Sequence, residues 1–243
     1  MEIKIVVASH KVYPMPTEDI YLPLHVGKEL SDKDFGFKGD NIGDNISSKN
    51  QSYNELTALY WIWKNINADY KGLAHYRRYF SIDGKNPITK REAVKLCTDS
   101  EVIVPISKKF YIISAYFHYT RSQKKMINIH TKDLDTLRDV IEELYPNYLE
   151  TFNAKIKSRK LHMCNMFIMK NELFHKYCSF LFDVIEEVEH RIPSRLRVYG
   201  ALSEFLLDTF LENNQILYKE VKMLELEKKS FCEKLKDRIK QAL

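Results

Sequence analysis

The sequence predicts one α/β domain with a mostly parallel central sheet flanked by helices, and three observations carry that expectation. Ile3 to Ala8 is a β-branched run broken only by Lys4, the mark of a strand buried on both faces. Strand-like runs then alternate with amphipathic stretches, as βα units do. No Pro- or Gly-rich linker divides the chain, so residues 1–243 read as a single domain.

Each element follows in order. The first strand closes on the polar turn Ser9-His10-Lys11, at the end where open α/β sheets bind ligands. From Asp32 to Asn50, Gly, Asp, Asn and Ser crowd together in a long loop. Ser52 with Glu55 three residues on reads as a capping box opening a helix to about Asn67. Tyr70–Ala74 reads as a short strand running straight into His75-Tyr76-Arg77-Arg78-Tyr79-Phe80. A helix over Thr89–Leu96 and a strand over Glu101–Pro105 come next, then helices over Asp133–Leu144 and Tyr145–Ser158. His162–Met169 is expected as a strand and Glu172–His190 as a long helix. Gly200–Leu211 is a further helix, Gln215–Val221 a strand, and Leu224–Leu243 a basic amphipathic terminal helix.

Composition narrows the function. With 44% hydrophobic and 12% aromatic residues the chain has material for a core, and seven Gly and seven Pro exclude collagen-like architectures. The net charge of +5 is too small to mark a nucleic-acid binder, yet it suits an anionic ligand or membrane surface if concentrated. Cys97, Cys164, Cys178 and Cys232 lack CxxC spacing and read as reduced thiols. Met1 to Ala8 is short and charged, so neither a secretory signal nor, elsewhere, a membrane span is expected; the protein reads as cytoplasmic or peripheral.

Four stretches could carry chemistry. In His75-Tyr76-Arg77-Arg78, two guanidiniums beside a histidine at a strand end can grip phosphate bidentately, or be a solvated edge paired to acids. The loop Gly43–Asn50 with Lys49 can present an anion nest before a helix, or be a surface loop of Asx turns. Asn165 to Met169 reads as core packing apart from Asn165, whose amide must find partners. Glu204, early in a helix, can take a proton or offset the helix dipole. GxxxxGK[ST], HExxH, GxSxG and GxGxxG are absent, and Asp133-Leu134-Asp135 reads as a helix cap. The terminal segment, with Lys228, Lys229, Lys234, Lys236, Arg238 and Lys240 opposite Phe231, Leu235 and Ile239, can meet an anionic membrane, its own domain or a second subunit.

The chain resembles a bacterial family of capsular and exopolysaccharide gene clusters, long catalogued as a domain of unknown function and treated as glycosyltransferases. The resemblance rests on His10-Lys11, Pro23–Gly27, the Gly43–Asn50 loop, Tyr53–Thr57, Tyr60–Asn65, Gly72–Phe80, Asn165–Met169, Tyr177-Cys178 and Arg197–Glu204. One departure is Phe180, where that pattern has tryptophan. It implies a GT-A-like, Rossmann-like fold and transfer of galactofuranose or galactose from a UDP-sugar to a glycan or lipid-linked acceptor. No Asp-X-Asp pair follows a central strand, so Arg77 or Arg78, with His75 and Lys49, is expected to stand in for the divalent metal, with no cofactor, and a base at Glu204 would make the transfer inverting. Under this mapping His10, Lys11, Asp44, Asn45, Lys49, His75, Tyr76, Arg77 and Arg78 border the donor. Asn165, Phe167 and Arg197 line the acceptor side, and Glu204 is the general base. A non-enzymatic module for phosphorylated or acidic glycans is the alternative; a nucleic-acid binder ranks behind both.

Overall fold

The computed structural model describes residues 1–110, 114–122 and 129–227. The expected terminal helix lies beyond them from residue 228 onward, and Cys232 with it. Strand β1 (Ile3–Ser9) lies inside the sheet, and its side chains alternate between two cores. Val6 and Ala8 join the larger core, and Ile3, Ile5 and Val7 the smaller one on the opposite face. β1 pairs in parallel with β2 (Tyr21–His25) and β4 (Tyr70–His75), and β2 with the short β3 (Lys38–Gly39).

Beyond β4 the expectation of a mostly parallel sheet fails. β4 turns at Tyr76-Arg77 straight into β5 (Arg78–Ser81), an antiparallel hairpin with His75 opposite Arg78. Next come β6 (Val102–Pro105), β7 (Lys108–Lys109), β8 (Lys160–Leu161), β9 (Phe167–Lys170) and β10 (Lys219–Glu225). β10 pairs antiparallel with β5 and in parallel with β6, while β9 runs antiparallel to both β4 and β6. The sheet is therefore mixed: β4, β5, β10, β6 and β9 close into a small barrel, and β7 and β8 form a separate ribbon. The close β4–β9 approach depends on Gly72, where a Cβ would sit 2.7 Å from the Phe167 carbonyl oxygen.

Helices α1 (Asn50–Tyr53) and α2 (Leu56–Asn65) replace the single helix expected from Ser52. Asn54 stands between them at φ 51, so the capping box never forms; Ser52 Oγ donates to Lys49 O and Glu55 turns inward. α3 (Lys90–Asp99) carries a true capping box, Thr89 with Glu92. α4 (Ala115–Phe117) runs into a π-helical turn, His118–Ser122. α5 (Thr131–Leu144), α6 (Leu149–Lys157) and α7 (Asn171–Arg191) cover the larger core. The helix expected over Gly200–Leu211 is two, α8 (Val198–Ser203) and α9 (Leu206–Asn213), broken at Glu204-Phe205. The last strand reaches Glu225 instead of ending at Val221, so Leu224 and Glu225 are not helical. No helix among the described residues is long and apolar enough to cross a membrane.

Candidate functional site

The carboxyl end of β1 and the β4–β5 hairpin open onto a cleft of about 320 Å³. His10, His75, Tyr76, Arg77 and Arg78 come from that end, Gln51, Asn54 and Glu55 from the α1–α2 junction, Cys164 from the approach to β9, and Leu196, Arg197 and Glu204 from around α8. Asn54 (φ 51), Cys164 (φ 72) and Arg197 (φ 64) hold positive-φ backbone conformations, as does Asn165 (φ 51) behind the wall. Non-glycine residues occupy that region at a cost of order 1 kcal/mol each, and such strain gathers where a site is built.

Glu204 is the floor of the cleft. The Tyr119 hydroxyl, from the π turn, and the Cys164 N–H, at 3.0 Å, both donate to its Oε2. Oε1 takes no hydrogen bond from any described residue. Burial, and then the neighbouring Glu55, push the carboxyl up to about 7, against the pull of Tyr119, Cys164 and Arg197. A carboxylate so placed is matched to exchanging a proton near neutral pH.

The rim is basic. His75 donates from Nε2 to the Cys164 carbonyl at 2.7 Å, so its neutral ring leaves Nδ1 as an acceptor. Burial, then Arg78, Arg197 and Arg77, hold His75 down at about 4. Burial and Arg77 also lower His10, whose ring meets Tyr76 edge-on at 5.1 Å. The Arg77 guanidinium lies 4.8 Å over the Tyr76 ring and 2.6 Å from Glu227, and Arg78 lies 3.3 Å from Glu225. Arg197 is exposed and has no ion pair among the described residues. Its charge bears on His10, His75, Glu55 and Glu204 alike.

Of the residues expected at a site, the cleft thus gathers His10, His75, Tyr76, Arg77, Arg78, Arg197 and Glu204. Lys11 lies beside it, 5.1 Å over the Tyr76 ring and 3.6 Å from Glu227. The Gly43–Asn50 loop reaches the cleft at its last residue, Asn50, but Asp44, Asn45 and Lys49 do not line it. Lys49 is paired with Glu189 at 2.6 Å, Asp44 accepts from the Tyr60 hydroxyl at 3.1 Å, and Asn45 accepts from the Ser47 N–H at 3.1 Å. Backbone amides of the loop are answered internally: Asp44 N donates to Asn65 Oδ1 at 3.1 Å, Ser47 N to Asn45 Oδ1 at 3.1 Å and Lys49 N to Ile46 O at 2.9 Å. Phe167 is fully buried against Phe174 and Tyr177, and Asn165 is buried behind the wall, bonded to Glu55.

Glu55 and Tyr119 were not expected here. Glu55 was hidden by its resemblance to a cap, although the left-handed-tolerant Asn54 before it was a visible warning; nothing local marks Tyr119. Among the described residues no group of three or more His, Cys, Asp or Glu side chains is placed to hold a metal ion.

The family described as Domain of unknown function (DUF4422) matches residues 4–215. No curated protein matches the sequence. Among solved structures, the apo structure of the bifunctional glycosyltransferase WbbM is similar, with a TM-score of 0.80 and 29% identity over 95% of this chain. The chain spans 46% of that protein's length.

Proposed function

The chain belongs to the DUF4422 family, and on that premise we propose that it is a glycosyltransferase acting through the His75–Glu204 cleft. The donor is a UDP-sugar, galactofuranose or galactose, and the acceptor a growing capsular or exopolysaccharide glycan. The likeness to a bifunctional glycosyltransferase supports the class of reaction. The observation that carries the reading is the meeting, in one cleft, of a basic rim with a buried carboxylate pushed up to about 7.

Transfer of this kind needs two things from the protein. Negative charge builds on the departing diphosphate as the bond from the sugar's anomeric carbon to the phosphate oxygen breaks. Fixed guanidiniums stabilise it without reorganising. Arg197 offers one with no ion pair among the described residues, and Arg77 and Arg78 offer two whose partners are surface acids, readily exchanged because exposed ion pairs are worth about 0–1 kcal/mol. The acceptor hydroxyl must lose its proton as its oxygen bonds to the anomeric carbon; Glu204 Oε1 takes that proton, and UDP departs with the bonding electron pair. Attack opposite the leaving group inverts the anomeric centre. In this reading side-chain cations do the work that a divalent ion does elsewhere, and action at the inner face of the cell membrane, where lipid-linked acceptors lie, accords with it.

Incubation of the protein with UDP-galactofuranose or UDP-galactose and a glycan acceptor, with and without EDTA, tests the proposal. UDP release and product formation unaffected by EDTA are expected. Binding of phosphorylated glycans with no turnover of any UDP-sugar would replace the enzyme with a glycan-binding module, and recovery only with manganese would overturn the role given to the arginines.

A further inference from the structure

The cleft floor holds a second carboxylate that the transfer step leaves unused. Glu55, 8% exposed at the α1–α2 junction, accepts from Asn165 Nδ2 at 2.9 Å. The same Nδ2 reaches the Gly200 carbonyl at 3.1 Å and Ser203 Oγ at 3.0 Å, in the turn of α8 that delivers Glu204. This bridge is kept at a cost. Asn165 sits at φ 51, and its Oδ1 is buried with no hydrogen-bond partner among the described residues, a deficit that buried amides seldom carry. A carboxylate taken out of water is costly as well, and a helix cap would have left Glu55 exposed.

We infer that Glu55 is a positioning residue for Glu204, the two carboxylates acting as one pair that shares a single proton, with Asn165 as the clamp that fixes their separation. The inference rests on the reading of Glu204 as the proton acceptor. The groups facing the pair come from several parts of the fold. Tyr119 on the π turn and the Cys164 N–H donate to Glu204, while Arg197 at the start of α8, Arg78 on β5 and Lys108 on β7 supply positive charge. Those cations favour one ionised carboxylate on the floor; the second stays protonated because two buried negative charges would repel each other. A singly charged floor also repels an incoming diphosphate less than a doubly charged one. Burial raises Glu55, and Glu55 in turn raises Glu204, in keeping with such a pair.

Carbon-13 NMR of the labelled glutamate carboxyls, followed against pH, tests this without requiring turnover. In the unaltered protein Glu55 and Glu204 are expected to titrate in two shared steps; two independent single-site curves would overturn the inference. In E55Q the Glu204 midpoint is expected to fall by about one pH unit, with the acid limb of UDP-sugar turnover moving by the same amount. A midpoint that stays in place in folded E55Q, with activity reduced equally at every pH, would reduce Glu55 to a structural role. Absence of turnover in the unaltered protein would sink the proposed function and leave the carboxyl titrations to decide the pairing.

Discussion

The Tyr119 hydroxyl donates to Glu204 Oε2, so one oxygen of that carboxylate is anchored while Oε1 takes no hydrogen bond from any described residue. The bond favours the ionised carboxylate and opposes the upward push of burial and Glu55. Tyr119→Phe removes it. Glu204 should then hold its proton to higher pH, moving the acid limb of kcat to the alkaline side and lowering kcat at neutral pH by about tenfold. A pH profile of UDP release from the variant checks both.

Glu204→Gln should separate activity from stability. Removing a general base lowers turnover by about 10²–10⁴-fold. The folded carboxyl sits near 7 and the unfolded one at 4.5, so the folded state binds the extra proton between those values and stability falls as pH rises through that window. Freed of that penalty, the variant should gain up to about 3 kcal/mol above pH 7 and nothing below pH 4. Urea denaturation at pH 5 and pH 8 reads the difference.

His75 gives the opposite slope. Its folded value near 4 lies below the unfolded 6.5, so between them the unfolded chain binds more protons, and stability is lost as pH falls through the window. His75→Gln can keep a donor toward the Cys164 carbonyl and should flatten this acid loss, worth up to about 3 kcal/mol by pH 4. Thermal melts of the variant and the unaltered protein from pH 4 to 7 show it.

Arginines at the rim should differ in weight. Arg197 has no ion pair among the described residues, so Arg197→Ala should weaken UDP binding by about 10–100-fold, the value of a charge-assisted bond or two. Glu227 bridges Arg77, at 2.6 Å, and Lys11, at 3.6 Å, and a phosphate must displace it. Glu227→Gln should therefore tighten UDP binding about two- to five-fold. Calorimetric titration with UDP measures both changes.

Much of the fold was legible in residues whose signal is local. The β-branched run Ile3–Ala8 marks a strand buried on both faces, and β1 does feed both cores, while the helices expected over α3, α5 and α7 are present. Strand direction was not legible, because it is decided by a two-residue turn at Tyr76-Arg77 and by the approach of β9 at Gly72, both set by tertiary contacts. At the site, the arginine pair, His75 and Glu204 could be named from residue type and position; Arg197 came only with the family resemblance, and was expected on the acceptor side rather than beside the diphosphate. Lys49 could not be placed, because its partner Glu189 lies 140 residues away, and Glu55 looked like a cap until Asn54 broke the helix before it.

A crystal of the protein with UDP tests the central claim most directly. The account predicts the diphosphate against Arg197 and the Arg77-Arg78 hairpin, with its free end opening toward Glu204 Oε1. A diphosphate bound outside this cleft, with Arg197 and both hairpin arginines untouched, would contradict it.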